Sequence, residues 1–125
     1  MEIKGQIISG MGKGTYFMSQ EIYIKQFQEK LHFKPYVGTL NVKLEKNRKN
    51  PLINISKEKF SLILGKGKFG DVKFIKAVLN HDTAGALVFP AKTEHTEDVL
   101  EFISNKNLRG SLKLKDGDIV SITIE

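Results

Sequence analysis

Polar and apolar residues alternate from Glu2 to Ser9, the period of a strand with one buried face. After a glycine-rich stretch, Ser19 is placed to cap a helix, with Glu21 in its first turn. Tyr23, Ile24, Phe27 and Leu31 then recur at helical spacing, which predicts a helix over 20–32. Pro35 closes that segment. Gly38 to Leu44 reads as a turn running into a strand, with Leu40, Val42 and Leu44 directed inward and Thr39 and Asn41 sharing the other face. Further on, 59–64 and 69–79 predict a hairpin turned at Gly65 to Lys68. A second turn at Asn80 to Asp82 leads into an apolar strand over 84–89, which Pro90 ends. Thr96 is then expected to cap a short helix, with Glu97 and Asp98 in its first turn and Val99, Leu100 and Ile103 on its inner face. Residues 105–110 read as a polar link. Residues 111–114 and 118–124 read as a terminal hairpin around Asp116-Gly117.

The pattern contains about six strands and two inserted helices, without the regular strand and helix alternation of a parallel sheet. The expected fold is mostly β, a small, mostly antiparallel barrel, since closure removes the sheet's edges. With 125 residues, the chain is expected to form one domain, 1–125. No cysteine is present, which excludes disulfides, thiolate metal sites and cysteine nucleophiles. Neither a signal peptide nor an apolar run of membrane-spanning length is visible, so a cytoplasmic protein away from membranes is expected. The formal net charge of +6 suits a protein that handles phosphates.

Several stretches carry candidate chemistry. Thr39 and Asn41, about 6–7 Å apart along one strand face, offer a hydroxyl and an amide oxygen to one small cation, for which Mg²⁺ is the natural choice. Taken alone, the same two residues are ordinary on the wet face of a half-buried strand. The loop Gly10-Met11-Gly12-Lys13-Gly14-Thr15 can bring backbone N–H groups close to a phosphate, with Lys13 adding charge. It is neither a Walker A loop nor a dinucleotide fingerprint. Gly65 to Val72 matches the protein-kinase glycine loop in letters. The partner signatures of a kinase domain are missing, so a soluble hairpin tip is the better reading. His32, His81 and His95 are unclustered. Among the carboxylates of the second expected helix, Glu101 is the one that a helix dipole does not account for.

Together, Ser-Gly-Met-Gly-Lys-Gly-Thr-Tyr-Phe at 9–17, Pro-Tyr-Val-Gly-Thr-Leu-Asn at 35–41, Pro-Ala-Lys-Thr-Glu-His at 90–95, Asn-Leu-Arg at 107–109 and Leu-Lys-Asp-Gly-Asp at 114–118 resemble the archaeal CTP-dependent riboflavin kinase family. The resemblance covers essentially the whole chain. It implies a six-stranded, Greek-key-like cradle-loop barrel that makes FMN and CDP from riboflavin and CTP with Mg²⁺. A monomer with no nucleic-acid partner is expected, although the residues themselves do not fix the oligomeric state. By the same resemblance, Gly10, Met11, Gly12, Lys13, Gly14 and Thr15 would hold the nucleotide, and Lys106, Asn107, Leu108 and Arg109 would close over it. Thr39 and Asn41 would bind the metal. Thr93 and Glu101 would contact the flavin, with Glu101 also the candidate to orient or deprotonate the ribityl 5′-hydroxyl. Where the family often carries a basic residue, this chain has Thr15. The alternative from another class is a nucleic-acid-binding small β-barrel, which would need exposed aromatic residues among lysines and arginines.

Overall fold

The structure is a computed structural model that describes residues 1–9, 20–36, 38–44, 57–65, 70–90 and 99–124. In chain order these form β1 (Glu2–Ile8), α1 (Glu21–Leu31), β2 (Leu40–Leu44), a 3₁₀ turn (Lys57–Lys59), β3 (Ser61–Ile63), β4 (Val72–Leu79), β5 (Thr83–Pro90), β6 (Val99–Ile103), α2 (Leu108–Ser111) and β7 (Ile119–Thr123). Six strands close a barrel in the order β4, β5, β6, β2, β1, β7. The ring is completed where Val78 and Leu79 pair with Thr123 and Ile122. Every pairing is antiparallel. Short β3 lies against the first half of β4, outside the closed ring. Neighbours distant in sequence, β2 with β6 and β1 with β7, make the connectivity Greek-key-like.

Alternation decides which side chains fill the barrel. Ile3 and Ile7, Leu40, Val42 and Leu44, Ile75, Ala77 and Leu79, Leu87, Leu100 and Phe102, and Val120 and Ile122 belong to one buried cluster. A barrel of this size leaves no room for a side chain where strands bend tightly. At Gly85 an added Cβ would overlap the Ile103 carbonyl and the ring of Phe102.

A second cluster forms on the outer face, where α1 lays Tyr23, Phe27 and Leu31, spaced one turn apart, on Ile63, Val72, Phe74, Ala86, Val88 and Ile103. Phe27 is fully buried, with its ring 5.5 Å from that of Phe74. Burying such a ring contributes about 1.5–3 kcal/mol. The helix ends at His32, which takes the left-handed φ of 62° and returns its N–H to the Gln28 carbonyl. α1 also satisfies the outer strand. The Gln26 side chain donates to the Leu64 carbonyl at 2.8 Å and accepts from the Leu64 N–H at 2.9 Å, and Lys30 donates to the Leu62 carbonyl at 2.8 Å. Backbone groups that would otherwise template another chain are thereby occupied.

Two expected elements differ. Val99 to Ile103 is a strand, not the inner face of a helix, and the expected cap at Thr96 lies outside the described residues. β6 is buried on both faces: Leu100 and Phe102 point into the barrel while Glu101 and Ile103 are covered outside it. Double burial removes the alternation that marks a strand. The second helix is instead α2, which begins in the expected polar link and ends at Ser111, where a strand was expected. The terminal hairpin is also absent: 111–114 is not a strand, and β7 pairs with β1 and β4. Leu112 and Leu114 both pack on the core and so mimic a strand, but Lys113 between them has a left-handed φ of 54°. The Asp116-Gly117 turn is present, with Gly117 at φ 96°, and it joins α2 to β7.

Candidate active site

One row of side chains crosses the outer face of five strands. Phe74 pairs with Val88, Val88 with Glu101, Glu101 with Asn41, and Asn41 with Ile8. Under α1 the row is apolar. At its other end it becomes polar without becoming wet: Glu101 is 6% exposed and Asn41 7%. Asn41 is therefore no ornament on a solvated strand face. Thr39, just ahead of β2, donates its hydroxyl to Glu101 Oε1 at 3.2 Å. The chain reaches this point through the buried Pro35, a Tyr36 N–H bonded to the Ser104 carbonyl at 2.8 Å, and Gly38 at φ 134°, a backbone angle that favours glycine.

The Asn41 Oδ1 atom is buried and has no hydrogen-bond partner among the described residues. Leaving such an acceptor unsatisfied costs about 1–3 kcal/mol. A hard cation taking oxygen ligands would satisfy it, and Thr39 Oγ1 and the Glu101 carboxylate stand beside it. No three His, Asp or Glu side chains cluster among the described residues, so a metal here would depend on these neutral oxygens, on at most the single Glu101 carboxylate, and on oxygens brought by a ligand.

Thr39 also connects this pair to a cavity of about 220 Å³, whose walls include Tyr36, Gly38, Ser104 and all four of Lys106, Asn107, Leu108 and Arg109. The structure thus gathers the metal candidate Thr39 and the segment 106–109, expected to close over the nucleotide, around one space. The four residues in that segment are not equivalent. Leu108 is buried in the barrel core, and the Asn107 side chain caps α2 by accepting the Gly110 N–H at 3.2 Å. Lys106 is exposed. Arg109 Nη2 donates to the Ile8 carbonyl at 3.0 Å and to Asp116 Oδ1 at 2.6 Å. The Ser9 hydroxyl donates to the other oxygen of Asp116. That hydroxyl, followed by the Arg109 guanidinium, holds the Asp116 carboxyl below its ordinary range. Sequence reasoning had passed over Ser9 and Asp116, because Asp-Gly is fully accounted for as turn chemistry. The recurrence of Asp116 inside a family-like motif was the available signal.

Gly10 to Thr15 and Thr93 lie outside the described residues. A larger cavity of about 590 Å³, bordered by Leu31, Phe33, Lys59, Lys76, Gly85 and Thr123, contains none of the candidate site residues.

Comparison with known proteins decides the family. The model named CTP-dep_RFKase, described as a domain of unknown function, DUF120, matches residues 7–124. The chain belongs to this CTP-dependent riboflavin kinase family. The riboflavin kinase of Methanobrevibacter smithii is 44% identical over 122 residues, covering 98% of both chains. That of Methanothermobacter thermautotrophicus is 44% identical over 117 residues, 94% of this chain and 93% of its own. The riboflavin kinase of Archaeoglobus fulgidus is 41% identical over 128 residues, 99% of this chain but 54% of its own. As a member of a kinase family the chain is a phosphotransferase, a class whose chemistry calls for a divalent metal. The unsatisfied Asn41 oxygen fits that requirement.

Proposed function

We propose that this chain is a CTP-dependent riboflavin kinase that transfers the γ-phosphate of CTP to the ribityl 5′-hydroxyl of riboflavin, giving FMN and CDP. The observation that carries the reading is the buried pair of Asn41 and Glu101, facing each other across β2 and β6, with Thr39 joining them to the cavity bordered by Lys106 to Arg109. In transfer, the 5′-oxygen bonds to the γ-phosphorus while the bond to the bridging oxygen breaks, and that oxygen leaves with its electron pair on CDP. Such a step needs positioning and charge neutralisation more than covalent help. Glu101 is suited to orient the hydroxyl and to take its proton, since burial and the Thr39 hydrogen bond fix its carboxylate in place. Thr39 and Asn41 would hold Mg²⁺, which when bound draws negative charge from the phosphates. Gly10 to Thr15 would cradle the phosphates and Thr93 would touch the flavin, roles that rest on the motifs. CTP as donor rests on the family.

Among the described residues the nucleic-acid-binding alternative finds no stacking platform. Phe27 and Phe74 are buried, Phe60 and Phe89 pack edge to face 5.7 Å apart, and Tyr36 alone among the described aromatics is exposed. The test is to incubate the protein with riboflavin, Mg²⁺ and CTP, ATP, GTP or UTP separately, and to resolve FMN by chromatography. FMN arising chiefly from CTP is expected. A folded sample that makes none with any donor would refute the reading.

A further inference from the structure

Ser9, Arg109 and Asp116 come from three parts of the chain and meet at the end of β1. We propose that Asp116 is a positioning residue for the nucleotide, tying Ser9 at the end of β1 to Arg109 of the segment 106–109. Its two carboxylate oxygens are divided between them: Oδ2 accepts from Ser9, the residue next to Gly10, and Oδ1 accepts from Arg109. Arg109 closes the triangle by donating to the Ile8 carbonyl at 3.0 Å.

The Asp116 turn is itself fixed. Gly117 N–H bonds to the Ile7 carbonyl at 2.8 Å, Ile7 N–H to the Asp118 carbonyl at 2.9 Å, and Lys115 N–H to Asp118 Oδ2 at 2.8 Å. Asp116 is thus presented from a rigid turn anchored on β1, which is what a positioning group requires. The arrangement gives a use to the Asp116 side chain, which packing and turn chemistry in the family-like motif Leu114 to Asp118 leave unexplained.

Stability does not account for the contact. The Arg109 and Asp116 side chains are 40% and 53% exposed, and an ion pair in that setting contributes little to folding. Nor would simple charge explain a carboxylate beside a site for phosphates, since its own field opposes them. Fixing Arg109 and Ser9 before the ligand arrives reduces the ordering that binding must supply.

This role rests on the proposed nucleotide site, and the experiment separates the two. Binding of CTP and of riboflavin is measured by calorimetry for the wild type, Asp116→Ala, Asp116→Asn and Ser9→Ala, alongside thermal melting. Asp116→Ala is expected to weaken CTP about ten-fold or more while riboflavin stays within about two-fold and Tm within about 2 °C. Asp116→Asn, which keeps an oxygen for one partner, is expected to fall between it and the wild type, and Ser9→Ala to show the same selectivity in milder form. CTP binding that is unchanged or tighter in Asp116→Ala overturns the role, as does an equal loss for both ligands accompanied by a drop in Tm. A wild type that binds riboflavin but no CTP overturns the nucleotide site itself, and the role with it. Ser9→Ala removes a single hydrogen bond from an exposed turn, so its binding result stands even if Asp116→Ala does not fold.

Discussion

Phe74 and Glu101 lie two strands apart in one row on the outside of the same barrel, equally hidden from water and opposite in chemistry. Around Phe74 the covering helix supplies Tyr23, Phe27 and Leu31, and burial stabilises the fold. Around Glu101 the neighbours are Thr39 and Asn41, one of whose oxygens has no described partner, and burial costs stability. A sequence selected for folding alone would extend the apolar half across the row. The polar half, where burial costs stability, is accordingly the half proposed to carry the function.

Perturbing each half should therefore move a different quantity. Phe27→Ala should lower the unfolding free energy by about 3–5 kcal/mol in denaturant titration, while the folded fraction keeps its turnover. A loss below about 1 kcal/mol would break the comparison at its apolar end. Glu101→Gln preserves shape and should cut the rate of FMN formation about 100-fold or more, with riboflavin binding changed far less. Turnover at the wild-type rate would remove Glu101 from the chemistry. Asn41→Leu should leave stability unchanged or raise it by about 1 kcal/mol, because an unsatisfied buried oxygen is replaced by carbon, and should abolish metal-dependent turnover. A clear fall in stability would mean that Asn41 is structural.

The smallest effect concerns pH. Because the Ser9 hydrogen bond, followed by Arg109, lowers the Asp116 pKa in the folded state, these contacts favour folding slightly at pH values above the unfolded carboxyl's pKa. That contribution is lost as pH falls through the lower folded value. CTP affinity in Asp116→Ala relative to wild type should thus be the same at pH 8 and pH 6, about two units above any carboxyl in this class. A ratio that changed over that interval would assign the contact to another titrating group.

How much was legible follows from where polar and apolar residues alternate. β1 and α1 show their faces in the sequence because one side of each is exposed, and β2 shows its period through Asn41 and Lys43 although Asn41 is buried. β6 hides its period through double burial, and Leu112 and Leu114 imitate a strand across a left-handed Lys113. At the site, residue types and motifs pointed to Thr39, Asn41 and Glu101, but their meeting depends on the register of β2 against β6. Thr39 and Glu101 are 62 positions apart, and no local pattern encodes that register. Asp116 escaped for the same reason, since its partner Ser9 is 107 positions away.

The central claim is that the buried polar pair is the reaction centre, and Mg²⁺ titration of CTP-driven FMN formation tests it most directly. Compared with wild type, Asn41→Ala should need about ten-fold more Mg²⁺ or greater for half-maximal rate, at unchanged thermal stability. Superimposable titration curves would contradict the account.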